Sequence, residues 1–480
     1  MTPPRTAATA APADALADAE AAPSFPSRAP ADPSPSDGLG PRAHSQVRSD
    51  LRAMYGDGVA FSVMVGSGES YLPAFALALG YGAVTAGFVA TLPMLAGALM
   101  QLVTPAAVGL LDSHRRWVVL CAGLQALCFV PLIAGALAGR MELWLLYLAA
   151  SLYWGLGMST GPAWNAWAST LVPARLRARY FARRTRGAQA ALVTALLAGG
   201  FVLEAGAERE QAMLAFAALF AAALLARAVS AGFLAAQSEA RPAPIGETSI
   251  SPAALRSHLR TGRHGRLLLY MLVFQLAVWV AAPYFTPYML GPLGLSYVEF
   301  TLLTTTAFLA RVIALPAVGR LIHRFGTKHV LAWSSVGIVP LPALWLVSDS
   351  FGWLLALQLL SGTAWAAFEL ASLLSFFERI PLRGRTSILT VYNLANALAI
   401  VGGSLLGGAL IEGAGERVLA GFVAVLVIST VARAAALWLL RGVPTTAEPG
   451  PVPPLRTLSV RPSSGAVQRP VLTGALTEVA

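Results

Sequence analysis

Charge is scarce in this chain: 12% of its 480 residues are Asp, Glu, Lys or Arg, while 56% are hydrophobic. An ordinary soluble domain is about one-quarter charged because it must cover its surface with polar groups, so that class is excluded and the solvent is a bilayer. Lysine is nearly missing, with Lys328 the only one, which reads as coding bias toward arginine and alanine. There are two cysteines, Cys121 and Cys128, seven residues apart in one apolar run. Helical rise holds such a pair ~10 Å apart, too far for a disulfide, so they read as buried apolar thiols. All six histidines fall in tails or loops. No His/Cys/Asp spacing suggests a metal, and no Gly-rich loop ends in Gly-Lys-Ser/Thr. ATP-driven and metal-dependent chemistry are therefore excluded, leaving no catalytic residues, no cofactor and an ion gradient as the energy source.

What is abundant is apolar runs long enough to cross a hydrocarbon core of ~30 Å. Twelve are read, at 57–79, 84–111, 117–139, 143–168, 187–205, 211–235, 266–290, 298–322, 329–348, 352–377, 386–410 and 419–440. Residues 1–50 and 443–480, rich in Ala, Pro and Ser, read as disordered cytoplasmic tails without a signal-peptide layout. Residues 238–265 read as a cytoplasmic linker, within which 252–260 could form a short basic surface helix, although a plain tether is favoured.

The chain is also a half-molecule written twice. Gly199, Gly200, Glu204, Glu208 and Arg209 return without a gap as Gly407, Gly408, Glu412, Glu416 and Arg417, 208 positions later. Pro173, Arg175 and Arg177 recur at that spacing as Pro381, Arg383 and Arg385, and Ala226-Arg227-Ala228 recurs as Ala432-Arg433-Ala434. The expected architecture is an all-α membrane protein of twelve transmembrane helices in two pseudo-symmetric six-helix bundles, at 51–237 and 266–442.

The formal charge of +11 does not signal nucleic acid, because it alternates from loop to loop. Arg115 and Arg116, then Arg175 to Arg186, then Arg320 to Lys328, then Arg379 to Arg385 follow even-numbered runs. The loops between carry most of the acids, among them Glu204, Glu208, Glu210, Asp349, Glu412 and Glu416. By the positive-inside rule both termini and the linker are cytoplasmic.

The loop Gly319-Arg-Leu-Ile-His-Arg-Phe-Gly-Thr-Lys328 resembles the loop signature of the major facilitator superfamily, and the first half carries a worn copy around Gly109, Asp112, Arg115 and Arg116. Aligned on Pro105 and Pro316, Asp112 falls opposite His323. The resemblance covers about residues 57–440 and implies a cytoplasmic gating latch built from Asp112, Arg115, Arg116, Gly319, His323, Arg324, Gly326 and Lys328. The first copy departs from the signature by lacking its second Gly, and the second by carrying His where Asp is usual. The fifth and fourth runs lack the Gly-Pro motif and the arginine of many drug/proton antiporters of that family, which lowers the case for multidrug export.

Ionisable groups at membrane depth cost ~2.5–3.5 kcal/mol each and need a reason. Glu69 lies about twelve residues, or ~18 Å, into its run, near the bilayer centre. Arg311 lies at similar depth and Glu369 nearer the cytoplasm. The resemblance implies that spans one, four, seven and ten line a cavity, aiming Glu69, Asn165, Gln275 and Glu369 inward with Tyr71, Trp154 and Trp365 as stacking surfaces. The substrate and ion-coupling candidates are thus Glu69, Tyr71, Asn165, Gln275, Arg311 and Glu369. The competing structural role is a buried ion pair such as Glu69–Arg311. Arg227 and Arg433 are expected to snorkel to cytoplasmic headgroups.

The function these features point to is secondary transport of a small solute by alternating access, in a multi-pass protein of the cell membrane, the inner membrane of a bacterium. The expected partners are a small-molecule substrate, the lipid bilayer and H+ or another coupling ion, with the chain a monomer and no nucleic acid. An exporter of the same fold, a polytopic membrane enzyme and a transporter-like sensor are the alternatives.

Overall fold

A computed structural model of the chain describes residues 41–172, 176–239, 265–379 and 385–441. The N-terminal 40 residues, most of the linker with its 252–260 segment, and the C-terminal tail lie outside them.

In lipid a backbone must bond to itself, and the apolar runs accordingly fold as helices, with no strand among the described residues. Among the described residues these make twelve spans. In the first half they are α1 (Pro41–Ser67, a 3-10 turn at Glu69–Tyr71, then Leu72–Ala78), α2 (Ala83–Val89, Leu92–Gln101 and Thr104–Leu111), α3 (His114–Leu127 and Phe129–Ala138), α4 (Leu143–Leu171), α5 (Arg177–Glu208) and α6 (Ala212–Ala235). The second half has α7 (Gly265–Trp279, a 3-10 turn at Ala282–Tyr284, then Phe285–Leu290), α8 (Tyr297–Phe325), α9 (Thr327–Ile338 and Leu341–Leu344), α10 (Phe351–Arg379), α11 (Arg385–Gly413) and α12 (Val418–Arg441). Nine stretches among the described residues are helices long and apolar enough to cross a membrane. The other three spans are α1, with its charged residues, α4, with four tryptophans, and α9, broken at Pro340.

Two boundaries depart clearly from the hydropathy reading, and one is the start of α5, at Arg177 rather than near residue 187, where basic turns are helical without being apolar. The first helix begins at Pro41, not near residue 57, because the polar turns before Asp57 remain helical without being apolar. The breaks in α1 and α7 precede Pro73 and Pro283, where a ring without an N–H interrupts the helix ladder. Cys121 and Cys128 are free and buried, as expected.

The repeated glycine pair explains itself in three dimensions. In α5, a Cβ on Gly199 would strike the Tyr71 ring, and in α11 one on Gly407 would strike the Tyr284 ring. Each tyrosine donates its hydroxyl proton to a carbonyl three residues before the first glycine, Tyr71 to Leu196 and Tyr284 to Ser404, both at 2.5 Å. The second glycine of each pair faces the opposite half: Gly200 seats Thr301 of α8, and Gly408 seats Phe88 of α2. The duplication thus preserved a packing device in which an absent side chain lets two helices close.

Candidate functional site

Contacts between the halves gather at the end carrying the acidic loops. Because the Tyr71 proton goes to Leu196, the Thr301 hydroxyl donates to the Tyr71 oxygen at 3.2 Å. Thr91 of α2 and Ser404 of α11 share a hydrogen bond of 2.8 Å. The backbone N–H of Val298 donates to Glu204 at 3.3 Å, and the rings of Phe216 and Tyr297 meet edge to face at 6.0 Å. Tyr71 is fully buried in this seam, so it is a residue of the closure between α1, α5 and α8 rather than a stacking surface of a cavity.

Glu69 sits one turn position from that seam, on the same 3-10 turn as Tyr71, and is 4% exposed. Tyr153 of α4 donates its hydroxyl to Glu69 Oε2 at 2.7 Å. The ion pair weighed as the competing structural role, Glu69–Arg311, is not the one that forms. Arg311 instead meets Glu369 with Nη1 3.1 Å from Oε1, both buried, joining α8 to α10 inside the second half. The reason is proximity: α8 and α10 pack so closely that Gly362 of α10 lies against Ala307 and Ala310. Gln275 is buried in α7 with no hydrogen bond to its Nε2 within the described residues, as is Trp279 Nε1 one turn on. Ser372, one turn after Glu369, likewise has an unbonded hydroxyl, and Arg311 Nε is also free of a hydrogen bond. Asn165 is half-buried in α4. Trp154 packs edge to face on Tyr153, and Trp365 on Phe368. Of the six candidates, Arg311 and Glu369 are joined to each other by an ion pair.

The arginines of the two α6/α12 positions do not snorkel. Arg227 and Arg433 are each 2% exposed, since both helices turn these positions into their own bundles. Arg227 donates Nε to Gln125 Oε1 at 2.8 Å and Nη1 to the Ser230 hydroxyl at 2.7 Å, with its guanidinium 5.1 Å from the Phe61 ring centre. Ser230 in turn donates to Asp57 Oδ1 at 2.7 Å, and Arg184 Nη2 pairs with Asp57 Oδ2 at 3.0 Å. Five side chains from α1, α3, α5 and α6, all buried but the half-buried Arg184, thus form one network in the first half. Hydropathy could not assemble it, because Asp57 reads as a span boundary and Arg184 as one more loop arginine. Ser230→Ala is expected to cost about 1–3 kcal/mol, as it leaves Asp57 and Arg227 each short of a buried partner. Thermal unfolding of the purified variant measures this. Arg433 is held differently, by the carbonyls of Ile338 at 3.1 Å and Val278 at 3.4 Å.

The two signature loops close on their own surroundings. After α2, Asp112 takes a left-handed conformation (φ 45°) and is exposed, and Ser113 caps α3 by accepting the N–H of Arg116 at 3.0 Å. After α8 the left-handed residue is Gly326 (φ 80°), a conformation suited to glycine. Asp112 and His323, each seven residues past the proline, therefore stand differently, one beyond its helix and the other within it. α8 runs three residues further past its proline than α2 does, so the residue with positive φ that follows the helix is Asp112 in one half and Gly326 in the other. His323 and Arg324 are exposed in the last turn of α8, Gly319 and Lys328 are half-buried, and the Arg324 guanidinium lies over Phe325. Arg115 reaches past α6, donating Nη1 to the Gln237 carbonyl at 3.1 Å and its backbone N–H to Glu239 at 3.1 Å. Ser113 also donates to Glu239, so this carboxylate sits on the positive end of α3. Ser238 donates its N–H to Asp50 at 2.8 Å, and Trp167 Nε1 donates to the Ser238 carbonyl at 2.9 Å. Ser238 and Glu239, read from sequence as linker, are thus fastened to the first half.

Among the described residues no group of three His, Cys, Asp or Glu could hold a metal ion.

The model of the Major Facilitator Superfamily matches residues 267–477, and the whole twelve-helix arrangement, repeated half on half, is the fold of that family's transporters. The second half of the chain resembles the major facilitator superfamily in sequence, and the described helices share that fold. No curated protein sequence matches it. Among solved structures, it is similar to the nucleoside transporter NupG, at 12% identity and a TM-score of 0.63 over 82% of this chain and 98% of that one. A D-xylose-proton symporter matches at 16% identity and a TM-score of 0.63 over 83% and 98%. A bacterial homologue of the iron transporter ferroportin, in its inward-facing state, matches at 15% identity and 0.62 over 82% and 98%. At these identities the shared property is the major facilitator transporter fold.

Proposed function

We propose that this chain is a member of the major facilitator superfamily and a gradient-driven secondary transporter that moves a small polar solute by alternating access. The observation that carries the reading is the placement of the contacts between halves: Tyr71–Thr301, Thr91–Ser404 and Val298–Glu204 cluster at the acidic-loop end. Two similar bundles hinged at one end are what rocking about a midplane site requires. Glu69 is the proposed carrier of the coupling proton, since it is a buried carboxyl at membrane depth that meets the Tyr153 hydroxyl, whereas the buried Asp57 is paired with Arg184. Arg311, Glu369, Ser372 and Gln275 form the proposed solute face of the second half. Their free donors suit a solute bearing several hydroxyl or carbonyl oxygens. The nucleoside transporter and the xylose symporter that share the fold are consistent with such a solute.

The protein in liposomes, supplied with a proton gradient and a panel of polyhydroxy and carbonyl solutes, tests this. Accumulation of one of them that collapses with a protonophore is the expected result, and accumulation of none across the panel refutes it.

The bundles at 51–237 and 266–442, the linker and both tails are proposed to lie as the arginine-rich loops dictate, in a bacterial inner membrane and as a monomer. Tags at Thr2, near Ser251 and at Ala480 should all report the cytoplasm, and a cysteine replacing Glu208 should label from outside. Protection of that cysteine from an impermeant reagent would overturn the orientation.

A further inference from the structure

Each half breaks its first helix at an equivalent 3-10 turn, Glu69–Tyr71 in α1 and Ala282–Tyr284 in α7. Both turns end in a tyrosine, 213 positions apart, seated on a repeated glycine and bonded to the carbonyl of α5 or α11. They begin differently. The first opens on a buried glutamate, whereas the second opens on Ala282. They also end on different chemistry across the seam. Tyr71 accepts a hydrogen bond from Thr301, while the equivalent position opposite Gly408 is the apolar ring of Phe88.

We propose that Tyr71 is a positioning residue that couples Glu69 to the closure at the acidic-loop end. This inference rests on the reading of Glu69 as the coupling group. Three consecutive residues of a 3-10 turn move as a unit, because its bonds close over three residues and leave little independent freedom. Glu69 holds the turn to α4 through Tyr153, and Tyr71 holds it to α5 and to α8 of the other half. A change at the carboxylate that slackens the Tyr153 bond therefore shifts the tyrosine oxygen that Thr301 engages. Hydrogen-bond strength falls steeply with misalignment, so a small rotation of the turn weakens the seam. The α7 turn has the same mechanical parts without the acid, and it acts as a passive seat.

Accessibility of a cysteine behind the seam tests the coupling without requiring transport. Thr305 is buried one helical turn inward from Thr301 on the same face of α8, so Thr305→Cys, with Cys121→Ala and Cys128→Ala, reports opening at this end. An impermeant maleimide is applied from the membrane face that the Glu208 cysteine identifies as that of the acidic loops. Tyr71→Phe and Thr301→Val, which each delete the cross-seam bond, are expected to raise the labelling rate about fivefold, the effect of one net hydrogen bond. Glu69→Gln changes the acceptor that the Tyr153 hydroxyl engages and should raise the rate severalfold in the otherwise unchanged reporter. In the Tyr71→Phe or Thr301→Val background the same Glu69→Gln change should add almost nothing, whereas with Tyr284→Phe it should add in full. An unchanged rate in Glu69→Gln alone, or additive effects of Glu69→Gln with Tyr71→Phe, would overturn the coupling. A merely structural tyrosine gives additivity. Because labelling needs no substrate, its failure leaves the transport reading standing, and absence of uptake leaves the labelling result standing.

Discussion

Glu69→Gln is expected to reach the membrane and unfold at nearly the wild-type temperature while losing concentrative uptake by about two orders of magnitude or more. Glutamine keeps the shape of the side chain and an oxygen for the Tyr153 hydroxyl, so packing around the turn is retained. What disappears is the ability to exchange a proton inside the membrane, and an accumulated gradient has no other source in the proposed mechanism. Exchange of solute down its own gradient should survive, since it needs the conformational cycle but no net proton movement. The measurement is uptake against counterflow in the same liposomes. Wild-type accumulation in the variant would make Glu69 a structural residue whose role is to hold α1 to α4.

Glu369→Ala is expected to be the most damaging single change in the second half. It leaves the Arg311 guanidinium buried with its carboxylate removed, a situation that costs about 3–5 kcal/mol. Expression and thermal unfolding should both show the loss. Replacing both partners at once, with Arg311→Met and Glu369→Leu, removes the two buried charges together and should restore most of the stability. The pair of experiments separates two roles that the geometry alone combines. If the ion pair only ties α8 to α10, the double variant transports as well as it folds. If Arg311 and Glu369 also face the solute, as proposed, the double variant folds and its uptake is at least about tenfold lower.

Much of the architecture was legible in the sequence alone, for a physical reason. A bilayer forces any apolar run of about twenty residues to satisfy its backbone internally, so hydropathy and length are enough to count helices. Duplication was legible because the glycine pairs and their flanking acids survive in register. The resemblance of the Gly319–Lys328 loop to the superfamily signature led to the family that the match over 267–477 supports. Even the importance of burial at Glu69, Arg311 and Glu369 could be read, because charge at membrane depth is costly wherever it points.

Which groups meet was not legible. Partners are set by the rotation of each helix about its axis and by how near two helices approach. An evenly apolar run, lacking a polar stripe, specifies neither. Thus Arg311 pairs with Glu369 rather than Glu69 because small residues bring α8 and α10 together. Arg227 turns inward to Gln125 and Ser230 although its place near the end of α6 suited a headgroup. Asp112 becomes a left-handed turn residue because α2 stops three residues earlier, relative to its proline, than α8. Sequence by itself determined the solvent, the helices and the repeat, since those depend on transfer free energy along the chain. Only the tertiary structure decided the ion pairs, the Asp57–Arg227 network and the tyrosine seam, since those depend on distances between segments that the chain brings together from far apart.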